Sequence, residues 1–257
     1  MKFVFDLDGT ICFKGQPISD RIIQSLSELI DLGIEVIFAS ARPIRDMLPV
    51  IDEAFHHCTM IGGNGSLIAK EGKVIKSHSF SIHEMTQIKC LIDAYDATYL
   101  IDGEWDYAYT GPENHPILQN LDPANLANKV SLEALHPIVK VLILTSNHME
   151  TLAEELSKLN VYINKHSNEN VLDISPNGIN KWSALKSIGV EENTYIAFGN
   201  DANDRAMFEH ALHTVMIGHH EQLASLAKET ISLKGDYEHE IANKIRTLSE
   251  KYRLLQI

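Results

Sequence analysis

An α/β protein with a Rossmann-like parallel-sheet core and an inserted α+β unit is the fold class this sequence predicts. Three observations carry the prediction. Short apolar strands alternate with amphipathic helices from Phe3 to about residue 80, the pattern of parallel strands joined by crossover helices. Over residues 81–177 the rhythm changes to aromatic strand pairs, and the earlier alternation resumes at Asn180. A chain of 257 residues is long enough for one core to give way to two. The expected division is therefore a core of 1–80 with 178–257 and an inserted unit of 81–177.

Phe3-Val4-Phe5 makes the first short buried strand. Ser19 precedes a helical pattern of Ile22, Ile23, Leu26, Leu29 and Ile30 that stops at Gly33. The second strand, 34–39, is apolar almost throughout, as a strand covered on both faces should be. It ends in Ser40-Ala41-Arg42-Pro43, where Pro43 suits a first helical turn and Pro49 bends the helix beyond it. A third strand leads to Gly62-Gly63-Asn64-Gly65, and Glu71-Gly72 turns a hairpin.

The inserted stretch predicts a helix over 82–94 and strands over 98–101 and 105–109. A strand over 138–145, a helix over 149–159 and strands over 161–165 and 171–174 complete it. Residues 112–128, rich in Pro and Asn, give no regular element, and Asp102, Glu104, Trp105 and Asp106 read as a solvated turn. Beyond Asn180 the pattern predicts a helix, a strand over 194–198, a helix from Asn203, a strand over 214–217 and a closing helix over 238–255.

Composition narrows the function. A formal net charge of −13 disfavours nucleic acid and anionic membrane surfaces as partners. The longest apolar runs, such as 141–144, are far too short to span a bilayer. Three widely spaced cysteines, Cys12, Cys58 and Cys90, make no disulfide framework, and the N-terminus enters a strand without a signal segment. A cytoplasmic protein, monomeric or a weak homo-oligomer, is the expectation.

Asp6 and Asp8 stand two apart where the first strand ends. Side chains two apart on an extended strand share a face, so both carboxylates can enter one site. They repel there unless a cation or a shared proton intervenes, which points to a divalent metal. Gly9 allows the backbone to turn and an anion to approach, and Thr10 adds a hydroxyl. Ser40 and Gly199-Asn200-Asp201 also fall at strand ends, where ligands of open α/β sheets bind.

Four motifs in this order resemble those of the haloacid-dehalogenase superfamily, and within it the Cof-type phosphatases with a class B type II cap. They are Asp6-Leu7-Asp8-Gly9-Thr10, Ser40 with Ala41-Arg42-Pro43, Gly178-Ile179-Asn180-Lys181, and Gly199-Asn200-Asp201-Ala202-Asn203-Asp204. The resemblance implies a phosphatase of small phosphorylated metabolites, sugar phosphates or phosphorylated cofactors. It implies Asp6 as nucleophile, Asp8 as general acid and base, and Lys181 as the charge that offsets their repulsion with phosphate. Ser40, the Ala41 amide, Gly9, Thr10 and Asn203 would surround the phosphoryl group, with Arg42 and Asn64 as further substrate contacts. Magnesium would be held by Asp6, Asp8, Asn200, Asp201 and Asp204. A phosphomutase or phosphotransferase of the same superfamily, or a non-catalytic binder of phosphorylated metabolites, is the alternative.

Two departures stand out. Asn200 occupies the place where the family usually has its first metal-binding aspartate, with Asp201 beside it. Gly218-His219-His220 replaces a common Gly-Asn-Ala, and these histidines read as surface residues.

Overall fold

The structure is a computed structural model that describes residues 1–166 and 171–253. The first half of the large sheet is built from β1 (Lys2–Phe5), α1 (Asp20–Asp31), β2 (Glu35–Ala39), α2 (Ile44–Met47), β3 (Thr59–Gly62), β4 (Leu67–Lys70) and β5 (Lys73–Ser77). A second unit comes next as α3 (Ile82–Ala94), β6 (Thr98–Gly103), β7 (Tyr107–Tyr109), β8 (Ile138–Thr145), α4 (Met149–Leu156), β9 (Val161–His166) and β10 (Val171–Pro176). The chain then returns as α5 (Lys181–Ser187), β11 (Tyr195–Gly199), α6 (Arg205–Glu209), β12 (His213–Ile217), α7 (Glu221–Ala224), β13 (Glu229–Ile231) and α8 (Tyr237–Arg253).

The large sheet has eight strands in the order β13-β12-β11-β1-β2-β3-β4-β5. Its strands from β13 to β3 are parallel, and the β4–β5 hairpin closes one edge antiparallel. The first strand lies near the middle, between β2 and β11. Alternation along it sends Phe3 and Phe5 to the face under α1 and α8, where Phe5 packs on Phe198 at 4.8 Å between ring centroids. Val4 goes to the opposite face, in a cluster with Trp182, Leu185 and Met207 from α5 and α6. Both faces of the centre are therefore apolar. The polar residues of β1 and β2 appear only where each strand begins or just past its end.

The other sheet has five antiparallel strands in the order β7-β6-β8-β10-β9. Helices α3 and α4 cover one face, burying Ile88, Ile92, Leu152 and Leu156 against Ile101, Val141 and Ile174. The uncovered face looks onto the C-terminal ends of β1 and β2, since Lys140 of β8 reaches the Ala41 carbonyl at 2.7 Å.

The differences from expectation have local causes. Helix α2 stops at Met47 and gives way to a single tight turn, Leu48–Val50, because Pro49 offers no amide to continue the ladder. Residues 112–128 hold one tight turn, Pro116–Gln119, and are otherwise organised by side chains: the Asp122 carboxylate accepts from the Leu126 and Ala127 amides at 2.7 and 3.1 Å. That device leaves no periodic trace in the sequence. Two short elements, α7 and β13, were not predicted, and α4 ends at Leu156 rather than 159. The end of the predicted closing helix, Leu254 and Leu255, lies outside the described residues.

Candidate active site

Asp6 leaves the end of β1 into a site that is almost closed to water, 4% exposed. Its Oδ1 accepts from the Lys181 ammonium at 2.6 Å and its Oδ2 from the Thr10 hydroxyl at 2.8 Å. The capping of α5 delivers Lys181 here: the Asn180 side chain accepts from the Ser183 amide, so Lys181 opens the helix with its side chain wholly buried. The same ammonium donates to Asp204 Oδ1 at 2.6 Å. One cation thus serves two carboxylates. Burial pushes the Asp6 carboxyl up to about 7, with Asp204 adding to the rise and Lys181 opposing it. Burial disfavours the Lys181 ammonium, but Asp204 and Asp6 outweigh it and hold the ammonium charged.

Asp8 sits on the same pocket wall but is half exposed. The Arg42 guanidinium grips it with two prongs, Nε to Oδ2 at 2.7 Å and Nη2 to Oδ1 at 2.6 Å. Arg42, expected as a substrate contact, therefore faces the Asp8 carboxylate. Directly after Asp8, Gly9 takes φ +76°, and a Cβ there would collide with Asn200 Nδ2. Only glycine fits that turn. The Gly9 and Thr10 amides close the turn onto the Cys12 and Leu7 carbonyls at 2.8 and 3.1 Å. Ser40 is buried, with its Oγ accepting from the Arg42 amide at 3.1 Å, and both Ser40 and Ala41 line the pocket.

The loop after β11 separates the residues expected to hold a metal. Asn200 leans over the site, its Oδ1 3.2 Å from the Thr10 hydroxyl that also touches Asp6. Asp201 caps its own loop at the Ala202 amide, 2.7 Å, and meets His220 Nε2 at 3.3 Å. Asp204 is fully buried, and its second oxygen accepts from the Asn200 and Asp201 amides at 2.8 and 3.2 Å. Among the described residues no group of three or more His, Cys, Asp or Glu is arranged to hold a metal. The donors gathered here are the Asp6 carboxylate oxygens and the Asn200 amide oxygen. All are hard oxygen donors, and that set fits magnesium, which needs few protein ligands when a phosphate and waters complete its shell.

Asn203 donates to Asn64 Oδ1 at 3.0 Å and leaves its own Oδ1 buried without a partner. Asn64 lies behind the pocket wall, donating in turn to Asp173 Oδ2 of β10 at 2.8 Å. His219, exposed as expected, and the half-buried His220 both line the pocket.

Sequence reasoning missed the contacts made by the five-stranded sheet. Lys140 of β8 is 4% exposed and pairs with Asp173 at 3.0 Å while holding the Ala41 carbonyl. Arg45, fully buried on α2, donates to Asp102 at 2.6 Å and to the Trp105 carbonyl at 2.7 Å, and contacts Asp46 at 3.2 Å. Burial pushes the Asp46 carboxyl up to about 6, against the pull of Arg45. Asp102, expected in a solvated turn, is thus buried in an ion pair. The available signal was a lone charge inside an apolar strand, Lys140 in Ile138–Thr145 and Asp173 in Val171–Pro176. A charge at such a position survives only with a partner.

Asp6, Asp8, Ser40, Arg42, Lys140 and Asn200 line a cavity of about 550 Å³ between the strand ends and the open face of the second sheet. A buried carboxylate paired with lysine, beside a second, more exposed carboxylate, is machinery for nucleophilic substitution and proton transfer. The chain belongs to the haloacid dehalogenase-like hydrolase family, whose profile matches residues 3–243. It is similar to the HMP-PP phosphatase of Citrobacter koseri, 24% identical over 228 residues that cover 80% of this chain and 79% of that protein. A haloacid dehalogenase-like hydrolase from B. subtilis shares the fold at a TM-score of 0.79 and 17% identity, over 96% of this chain and 100% of the other. A sugar phosphatase of HAD subclass IIB does so at 0.75 and 16%, over 96% and 98%. No helix among the described residues is long and apolar enough to cross a membrane.

Proposed function

We propose that this hydrolase is a magnesium-dependent phosphatase that releases inorganic phosphate from small phosphorylated metabolites through a phosphoaspartate at Asp6. The observation that carries the reading is the buried Lys181 ammonium, 2.6 Å from an Asp6 carboxylate that lines a metabolite-sized cavity. Asp6 attacks the phosphorus in line, its carboxylate oxygen forming the new P–O bond as the P–O bond to the departing alcohol breaks. Asp8 gives its proton to the leaving oxygen. In the second half it takes that proton back from a water, whose oxygen attacks the same phosphorus and breaks the bond to Asp6. Lys181 offsets the repulsion between the Asp6 carboxylate and the phosphate. Ser40, the Ala41 amide and Asn203 take the phosphoryl oxygens.

Magnesium, held by the Asp6 side chain, the Asp8 carbonyl and Asn200, would supply positive charge against the phosphoryl oxygens. In this reading residues 1–80 and 178–257 form the hydrolytic core, and 81–177 form a cap that closes the pocket over the leaving group. The enzyme is cytoplasmic, and its partner is the phosphate ester alone. The test is phosphate release from a panel of monoesters, with magnesium and with chelator, by wild type and Asp6→Asn. Release should need magnesium and vanish in the variant. Wild-type rates in Asp6→Asn would remove Asp6 as nucleophile.

A further inference from the structure

The cavity above Asp6 has two unlike walls. One is the set of polar strand ends already described. The other is the open face of the five-stranded sheet, where every second residue of β6, β8 and β10 points inward. Leu100 lies beside Leu142, and Asp102 beside Lys140, in the β6–β8 pairing. Leu142 is in turn the neighbour of Asp173. Leu100, Leu142 and Val171 form one apolar cluster with Leu121, and Ile117 packs onto it. All five line the cavity. This cluster is separate from the core beneath α3 and α4. It serves the cavity rather than the interior of the sheet.

The charges in the cavity point the same way. Its two fixed cations are engaged: Lys140 with Asp173 and the Ala41 carbonyl, Arg42 with Asp8 through two bonds. Beyond Asp6 and Asp8 the lining adds the carboxylates of Asp46, Asp102, Asp173 and Asp201. A second anionic group on the substrate meets more negative charge than positive. A polyol meets leucine side chains, and each hydroxyl buried there without a partner costs about 1–3 kcal/mol. An apolar body instead gains by displacing water from the leucines.

We propose that the substrate is a phosphate monoester of an uncharged, largely apolar alcohol, an aromatic or heteroaromatic ring system carrying a single phosphate. The proposal rests on the phosphatase reading and narrows it away from sugar phosphates and bisphosphates.

The test compares esters of primary alcohols, so that leaving-group chemistry is matched: naphthylmethyl phosphate against glucose 6-phosphate and fructose 1,6-bisphosphate. Acetyl phosphate, too small to reach the leucines, serves as the reference. Wild-type kcat/KM for naphthylmethyl phosphate should exceed that for either sugar ester by at least roughly tenfold, and Leu142→Asn should lower its ratio to acetyl phosphate about tenfold. Equal or better turnover of a sugar ester, or an unmoved ratio in Leu142→Asn, overturns the proposal. If acetyl phosphate is hydrolysed with no preference among the larger esters, the apolar assignment falls and the phosphatase reading stands. If neither the esters nor acetyl phosphate is hydrolysed, the phosphatase reading itself fails.

Discussion

Asp6, Lys181 and Asp204 carry one positive and two negative charges in a site closed to water. The excess charge makes Asp6 costly to ionise, and burial with Asp204 raises its carboxyl from 3.8 to about 7. A carboxyl raised on folding contributes stability that is complete below about pH 3.8 and is lost as the pH climbs through about 7. A rise of that size corresponds to about 4 kcal/mol as a ceiling. Relaxation of the buried site, with an effective dielectric near 20, brings the cost to roughly 1–3 kcal/mol. Asp6→Asn deletes the charge while keeping an oxygen for Lys181 and an amide for the Thr10 hydroxyl. In chelator at pH 8 the variant should melt higher than wild type by roughly 3–8 °C, and the two should converge near pH 4. Asp46, raised to about 6, gives both proteins the same slope and drops out of the difference. The assay is thermal unfolding from pH 4 to 8, read beside phosphate release. A variant that melts at or below wild type at pH 8 would refute the charge imbalance at Asp6.

Three further outcomes are expected of the site. Arg42→Lys keeps the charge but loses the two-pronged grip on Asp8, so kcat should fall about tenfold more for alkyl phosphates than for nitrophenyl phosphate, which needs no proton from Asp8; equal losses would separate Arg42 from Asp8. Lys140→Met breaks the buried pair with Asp173 and should cost roughly 3 kcal/mol in a denaturant titration; an unchanged midpoint would show that the pair is not structural. Asn200→Asp should lower the magnesium concentration for half-maximal activity about tenfold, while Asp201→Asn leaves it nearly unmoved; the reverse pattern in a magnesium titration would make Asp201 the ligand.

Much of this arrangement was legible because the fold puts its chemistry at strand ends. Buried parallel strands are apolar throughout, so Asp6, Ser40 and Asn200 stand out where each strand stops. The ordering of those ends within the sheet is set by the handedness of crossovers. The cap-side contacts were not legible in the same way. Arg45 sits on a four-residue helix and meets Asp102 across 57 positions of sequence, and nothing local distinguishes it from a surface arginine. The path of residues 112–128 depends on Asp122, whose own amide is held by Asp46 at 2.9 Å. Such a loop is specified by tertiary contacts and has no period to read.

The acidic loop shows a subtler limit. In sequence, Asn200, Asp201 and Asp204 are three oxygen donors after a strand, and each reads as a metal ligand. In the fold they divide the work by direction. Asp204 turns inward, spending one oxygen on Lys181 and the other on the amides of Asn200 and Asp201. Those two bonds shape the loop and aim the Asn200 side chain at Thr10. Asp201 stays on the cavity lining but turns to the Ala202 amide and His220. A carboxylate that builds a loop and one that faces an ion leave the same letter in the sequence. Asn200, of the three, meets the Thr10 hydroxyl that also serves Asp6, and it carries no charge. An aspartate there would face the ion but also add to a site that already holds two carboxylates for one lysine. Tighter metal binding and a weaker metal-free fold should therefore arrive together in Asn200→Asp, because both come from the same added charge.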